Sequence, residues 1–195
     1  MFNDRYGLTE AVLKGQKTQL RRIIKCPKTF KGEWVAGFNV YIRQSDGAIL
    51  EWPSLYDADE ATIDNGYILP KYKIGEVIAV AQPYKDFGAY CLDSRPMTDK
   101  RFAKAEYMPH HIRITNIRIE KLQNITDEDC AKSGILSSDK YAMPYGIADT
   151  KAPNGVDFCY STPKDAYAAL VNKVMYKEAW KENPWVYVYD FELVD

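Results

Sequence analysis

The segment Trp185–Leu193 places the strongest limit on what this chain can fold into. Every odd-numbered position in it holds a large apolar or aromatic side chain, and alternation with a period of two is typical of a β-strand. Asn183-Pro184 stands directly before it and ends any preceding helix. The chain also carries 15 Tyr, 7 Phe and 4 Trp, residue types that favour strands over helices. We therefore expect a mostly β core.

Three other segments are predicted to contribute strands. Residues 112–122 alternate β-branched with charged side chains, and the alternation changes phase at Thr115-Asn116, which indicates a bulge. Residues 77–81 are an uninterrupted apolar run and predict a buried strand. Residues 38–52 alternate on both sides of Asp46-Gly47, a pair typical of hairpin turns.

Helices are predicted at three places. Residues 5–14 carry apolar side chains at helical spacing and end before Gly15. Thr126 precedes three acidic residues, the pattern of a capped short helix that closes at Gly134. Thr162-Pro163 opens a helix that we expect to continue to about Trp180.

The length of 195 residues corresponds to one domain, so we expect residues 1–195 to form a single unit. Two turn-rich stretches, near residues 27–70 and 136–161, are predicted to be insertions into it. Residues 83–107 show no period, and no structure is predicted for them.

Nothing in the sequence suggests export, a membrane span or a metal site. The N-terminus lacks a signal pattern and no apolar run approaches the roughly 18 residues of a span, so we expect a cytoplasmic protein without a membrane partner. Neither a cofactor nor a metal is expected, since the cysteines form no C-x-x-C pair and the adjacent His110 and His111 point to opposite faces of a strand. The cysteines, Cys26, Cys91, Cys130 and Cys159, are expected to be free and buried.

Positive charge is concentrated in one stretch. The whole chain has 26 basic and 27 acidic residues, yet residues 11–31 contain no acid. Such a cluster can bind a phosphate backbone, or it can form a solvated edge that prevents sheets from pairing. Both interpretations are open. The basic residues of this segment are Lys14, Lys17, Arg21, Arg22, Lys25, Lys28 and Lys31.

Aromatic side chains offer stacking surfaces for nucleobases, but burial explains most of them here. Trp34, Trp52, Trp180 and Trp185 lie at the ends of predicted elements or inside strand and helix patterns, so we assign them to the core. Tyr84 lies in a polar stretch after the 77–81 strand and is the best candidate for an exposed stacking ring.

Five motifs in order resemble ASCH-domain proteins of the PUA-like superfamily, of the kind found in bacteria and phages. Gly15-Gln16-Lys17-Thr18-Gln19-Leu20-Arg21-Arg22 is similar to the family's G-x-K-T-x-x-R motif after a first short helix. The other four are residues 73–80 (KIGEVIAV), 108–114 (MPHHIRI), 119–126 (IEKLQNIT) and 180–186 (WKENPWV). Together they extend over nearly the whole chain.

This resemblance implies an α+β fold, a PUA-like β-barrel with flanking short helices and inserted loops. It also implies a cleft beside Lys17-Thr18 that binds RNA or modified nucleotides. Some small relatives are amidohydrolases that deacetylate acetylated cytidine and use a Lys, a Thr and a Glu. At the corresponding positions this chain has Lys17 for the Lys, Leu20 for the Thr and, approximately, Ser133 for the Glu. Two of the three roles are therefore missing.

The leading hypothesis is accordingly a module that binds RNA or a modified nucleotide in a basic cleft. Lys17, Thr18, Arg21 and Arg22 are predicted to line the cleft, with Arg113 as a further contributor. Lys17 is expected to be exposed and to matter little for stability. The alternatives are a hydrolase, either an amidohydrolase or a ribonuclease, in the same cleft, and a protein-interaction accessory whose basic strip meets an acidic surface. A carboxylate within reach of Lys17 would favour catalysis.

Overall fold

A computed structural model describes residues 2–88 and 94–194. The fold is α+β and consists mostly of strands with a few short helices. The helices are α1 (Leu8–Leu13), α2 (Ser94–Thr98), α3 (Asp127–Lys132), α4 (Pro163–Val174) and α5 (Ala179–Glu182). The strands are β1 (Gln19–Ile23), β2 (Thr29–Phe30), β3 (Glu33–Trp34), β4 (Gly37–Asn39), β5 (Ser54–Tyr56), β6 (Thr62–Tyr67), β7 (Val77–Ala79), β8 (His111–Lys121), β9 (Leu136–Ser137), β10 (Tyr145–Ala148), β11 (Val156–Tyr160) and β12 (Trp185–Leu193).

The central element is an antiparallel sheet in the order β1-β12-β8-β7, curled into a half-barrel. β12 is the predicted terminal strand, and it is buried on both faces. Its odd-numbered Tyr187 and Tyr189 belong to the core cluster that also holds Ile112 and Ile114, and its even-numbered Val186 and Val188 belong to the cluster under α4. The sequence pattern identified only the first of these faces.

The predicted bulge is confirmed. Asn116 pairs with Asp190 and Ile114 pairs with Phe191, so Thr115 has no partner of its own on β12. An extra residue of this kind bends a strand and increases its twist, which is consistent with the curl of the sheet. The predicted buried strand at residues 77–81 is only partly right, because β7 ends at Ala79, lies at the sheet edge and leaves Val77 51% exposed.

Small sheets occupy both stretches that were predicted to be insertions. β4, β5 and β6 form one between residues 37 and 67, and β9, β10 and β11 form another between residues 136 and 160. The Asp46-Gly47 turn is present, with Gly47 at a φ of 72°. Its flanks form only one bridge, between Ile42 and Ile49, so the hairpin expected over residues 38–52 is not a regular one.

Side-chain capping explains where the longest described helix, α4, begins. The Oγ1 of Thr162 accepts from the backbone N–H of Asp165 at 3.1 Å, and Pro163 occupies the first turn. α4 ends at Val174 rather than near Trp180, and Trp180 lies on the separate α5. The backbone N–H of Trp180 donates to the side-chain oxygen of Asn172 at 3.0 Å, which fixes α5 against the end of α4.

The predicted burial or exposure of five aromatic and cysteine side chains was wrong. Trp34 is 63% exposed on the two-stranded β2-β3 sheet. Trp52 is 38% exposed in the loop before β5, although its ring contacts that of Tyr187, with the ring centroids 6.0 Å apart. Tyr84 is 4% exposed, and its hydroxyl oxygen accepts a hydrogen bond from the backbone N–H of Lys104. Cys26 and Cys159 are free and exposed, and Cys130 is free and buried; Cys91 lies outside the described residues.

Within residues 2–88 and 94–194, no helix has the length and apolar character needed to cross a membrane.

Candidate functional site

A cavity of about 280 Å³ lies between β1 and α4, and we call it the Lys17 pocket. Its wall is mostly apolar, and its polar groups come from the N-terminal segment, from the loop before β1, from β1, from the end of α3 and from α4. The apolar residues are Phe2, Leu8, Leu20, Leu170, Val171, Val174 and Met175. The polar ones are Asn3, Lys17, Arg21, Ser133 and Tyr167.

Lys17 is the pocket residue whose ionisation is altered by its surroundings. The side chain is buried, and its Nζ donates to the carbonyl oxygens of Gln19 at 2.6 Å and Ser133 at 2.9 Å. Burial, assisted by the positive charge of Arg21, lowers the pKa of Lys17 to about 7. A neutral amine has two N–H bonds, so both carbonyls keep their donor when the proton leaves. The lone pair is then free to accept a hydrogen bond.

The turn after α3 brings Ser133 to this amine. Gly134 follows at a φ of 98°, and a Cβ there would come within 3.1 Å of the Cδ2 of Leu8, so only glycine suits the position. Ser133 is buried, and its Oγ has no hydrogen-bond partner among the described residues. The three positions compared with the amidohydrolases, namely Lys17, Leu20 and Ser133, therefore lie in one cavity wall.

Arg21 is held by carboxylates rather than presented to a ligand. Its side chain is 1% exposed and contacts Glu120 and, at 2.9 Å, Asp129. Burial pushes the pKa of Asp129 upward, but hydrogen bonds from Arg21 and Gln19 and the charge of Arg118 outweigh it, and the pKa lies below its ordinary value. Arg21 is thus the buried cation of an ion-pair cluster that also contains the more exposed Arg118.

A second depression, which we call the β1 groove, adjoins the pocket along β1. It has a volume of about 570 Å³ and shares Leu20, Arg21, Val174 and Met175 with the pocket wall. Its positive groups are Arg22, Lys25 and Lys71. The ring of Tyr72 lies 5.4 Å from both the Arg22 guanidinium carbon and the Lys71 Nζ.

The structure brings together only part of the predicted set. Lys17 and Arg21 line the pocket and Arg22 lines the groove. Thr18 lines neither; its backbone is bonded to Lys132 and Phe191. Arg113 is paired with Glu192 at 3.1 Å on β8 and also lines neither.

The expectation that Lys17 is exposed is wrong. The polar sequence around it suggested a surface loop, but the turn after α3 closes over its side chain. The part of α4 in the pocket wall was not predicted either. The helix itself was predicted, but a helix prediction cannot distinguish a face that fills a core from one that borders a cavity.

Two features limit the chemistry available to the pocket. In the described ranges, the hydrogen bonds of the Lys17 Nζ go to carbonyl oxygens and none goes to a carboxylate. Across the same ranges, no three His, Cys, Asp or Glu side chains are grouped so that they could hold a metal ion.

Comparisons with protein-family models, curated proteins and solved structures find no match for this chain.

Proposed function

We propose that this protein binds a nucleotide or single-stranded RNA, with one base in the Lys17 pocket and the sugar-phosphate backbone along the β1 groove. In this proposal the half-barrel is of the PUA-like, ASCH type. The observation that carries it is the continuity of a small, mostly apolar cavity with a positively charged groove that contains an aromatic ring.

The pocket suits a base better than a phosphate. Its wall is largely apolar, and the two basic side chains that line it are an amine of lowered pKa and a guanidinium already paired with two carboxylates. Above pH 7 the Lys17 lone pair accepts a hydrogen bond from a base N–H. The apolar wall accommodates a methyl or acyl substituent, which favours a modified base.

The groove suits the backbone. Arg22, Lys25 and Lys71 have no carboxylate partner among the described residues, so their charges are available to phosphates. Tyr176 lines the groove and is 39% exposed, so its ring offers a surface on which a second base can stack.

The first test is the salt dependence of binding to a short single-stranded RNA. For a single strand, each phosphate that the protein no longer neutralises should reduce the slope of log affinity against log salt by about 0.7. We therefore expect Arg22→Ala and Lys25→Ala each to lower the slope by roughly this amount. Lys14→Ala is the matched control from the same basic segment, because Lys14 lies outside the groove and is paired with Glu10 at 2.7 Å. A slope that is the same in the wild type and all three variants would contradict the proposal.

A hydrolase is the second candidate, and the observation that favours it is the Lys17 amine, whose pKa of about 7 suits a general base. The wall offers Leu20 and Ser133 where the amidohydrolases have Thr and Glu. We expect the wild-type protein to release cytidine from acetylated cytidine at a rate close to background. Leu20→Thr with Ser133→Glu should introduce measurable release. If the wild type releases cytidine rapidly and Lys17→Ala abolishes this release, the protein is an enzyme rather than a binding module.

A further inference from the structure

One edge of β8 is left open over more than half of its length. On one side, β8 pairs with β12 from Ile112 to Lys121. On the other side, β7 covers only His111–Arg113, and the backbone of Ile114 bonds to Gly75 and Glu76. From residue 115 to residue 121, no strand among the described residues pairs with this second edge.

The register identifies which backbone groups face outward. The N–H of Leu122 donates to the carbonyl of Pro184 at 3.0 Å, and in an antiparallel ladder hydrogen-bonded pairs recur at every second residue. The even-numbered residues of β8 that follow the bulge therefore bond to β12. Ile117, Ile119 and Lys121 direct their N–H and C=O groups to the open edge. Unpaired groups in such a row are a template for another strand.

A groove of about 660 Å³ lies beside this edge, and we call it the β8 groove. Ile117, Arg118 and Ile119 form one wall, and residues 49–52 with Tyr67 form the other. Leu50 is 56% exposed and Trp52 is 38% exposed. An apolar slot next to unpaired backbone groups matches the two requirements of strand addition, which are main-chain hydrogen bonds for affinity and pockets for alternate side chains.

The charge around the groove is negative. Arg118 is occupied by Asp129 and Asp190 at 2.5 and 2.6 Å, whereas Glu51 in the groove wall has no basic partner among the described residues. The segment 37–67 that supplies this wall contains one basic residue, Arg43. Its acidic residues are Asp46, Glu51, Asp57, Asp59, Glu60 and Asp64. Such a surface repels nucleic acid and attracts a basic polypeptide.

We propose that the open edge of β8 is a docking site for a partner protein, which adds an extended basic segment as a further strand. The added strand bonds to Ile117 and Ile119, places apolar side chains in the β8 groove and carries Lys or Arg near Glu51. The added strand lies between β8 and the β4-β5-β6 sheet. This site is separate from the Lys17 pocket and does not depend on the function proposed for that pocket.

The test uses two capped, fluorescein-labelled peptides of eight residues, one alternating Val with Lys and one alternating Val with Glu. Fluorescence anisotropy should show that the full-length protein binds the Val/Lys peptide and binds the Val/Glu peptide at least tenfold more weakly. Glu51→Lys should narrow or reverse this preference. Ile117→Pro removes an outward N–H without removing a bond to β12, and should weaken binding of the Val/Lys peptide about tenfold. Ile117→Val is the matched control and should bind as the wild type does.

Three results would overturn the proposal: absence of binding by either peptide, equal binding of both, or equal binding by Ile117→Pro and Ile117→Val when circular dichroism shows both to be folded. If Ile117→Pro does not fold, Glu51→Lys, on an exposed position, decides the outcome alone. Sedimentation provides a further check. A dimer that Glu51→Lys dissociates would mean that a second copy of this chain, rather than a partner protein, covers the edge.

Discussion

A single buried amine illustrates how local packing changes the chemistry of a residue. Lys17 lies in a motif of polar residues, yet its Nζ is enclosed and held by two carbonyl oxygens. Because water no longer solvates the charge, the pKa of Lys17 falls to about 7. The amine can therefore change its protonation state, and with it the type of hydrogen bond that it offers a ligand, near neutral pH.

The pKa of Lys17 also makes folding stability depend on pH. The folded state releases this proton near pH 7, whereas the unfolded chain holds it up to its ordinary pKa of 10.5. Between these values the unfolded state binds more protons, so the free energy of unfolding rises with pH, by up to about 1.4 kcal/mol per unit. Below pH 7 both states are protonated and this contribution to the slope vanishes.

Urea denaturation of the wild type and of Lys17→Met at pH 6.5, 7.5 and 8.5 tests this pH dependence of stability. The stability of the wild type should increase relative to that of the variant as pH rises across this series. Other groups titrate equally in both proteins, so the difference between them isolates Lys17. A difference that stays constant with pH would mean that the Lys17 amine keeps its ordinary pKa.

At the scale of one element, β1 directs two consecutive arginines to opposite faces. Arg21 pairs in register with Val188 and enters the ion-pair cluster, whereas Arg22 pairs with Tyr187, lines the β1 groove and lies over the ring of Tyr72. Strand geometry alone assigns one arginine to structure and leaves the other available to bind a ligand. Both were predicted from the sequence to bind, because a run of basic residues does not show where the matching carboxylates lie.

The two arginines should therefore respond differently to substitution. Arg21→Ala removes the buried cation between Glu120 and Asp129 and leaves them only the more exposed Arg118. It should lower the free energy of unfolding by about 2 kcal/mol. Arg22→Ala should change it by less than about 0.5 kcal/mol while weakening binding to RNA. Thermal and urea denaturation measure the first effect. Equal destabilisation of the two variants would contradict the assignment.

At the scale of the whole molecule, the sequence predicted those elements that have a regular local pattern of apolar, charged or capping residues. β12, the bulge in β8 and the start of α4 were all identifiable from the sequence. Exposure was less predictable, because strand-like alternation does not show that Trp34 lies on a two-stranded sheet and Trp52 in a loop, where both rings remain exposed. The burial of Lys17 and Arg21 could not be predicted either, since it depends on Ser133 and Asp129, more than a hundred residues away in the chain.

The central place of β12 determines how the chain reaches its fold. Its two neighbours come from distant parts of the sequence, since Gln19 pairs with Asp190 and Trp185 pairs with Lys121. β1 is therefore synthesised long before β12, the strand with which it pairs. The half-barrel cannot form until the β12 segment has left the ribosome. Contacts that bridge such long intervals have a high entropic cost before they contribute any stability. Folding should accordingly take milliseconds to seconds, with Arg21 and Arg22 of β1 exposed to solvent in the interval.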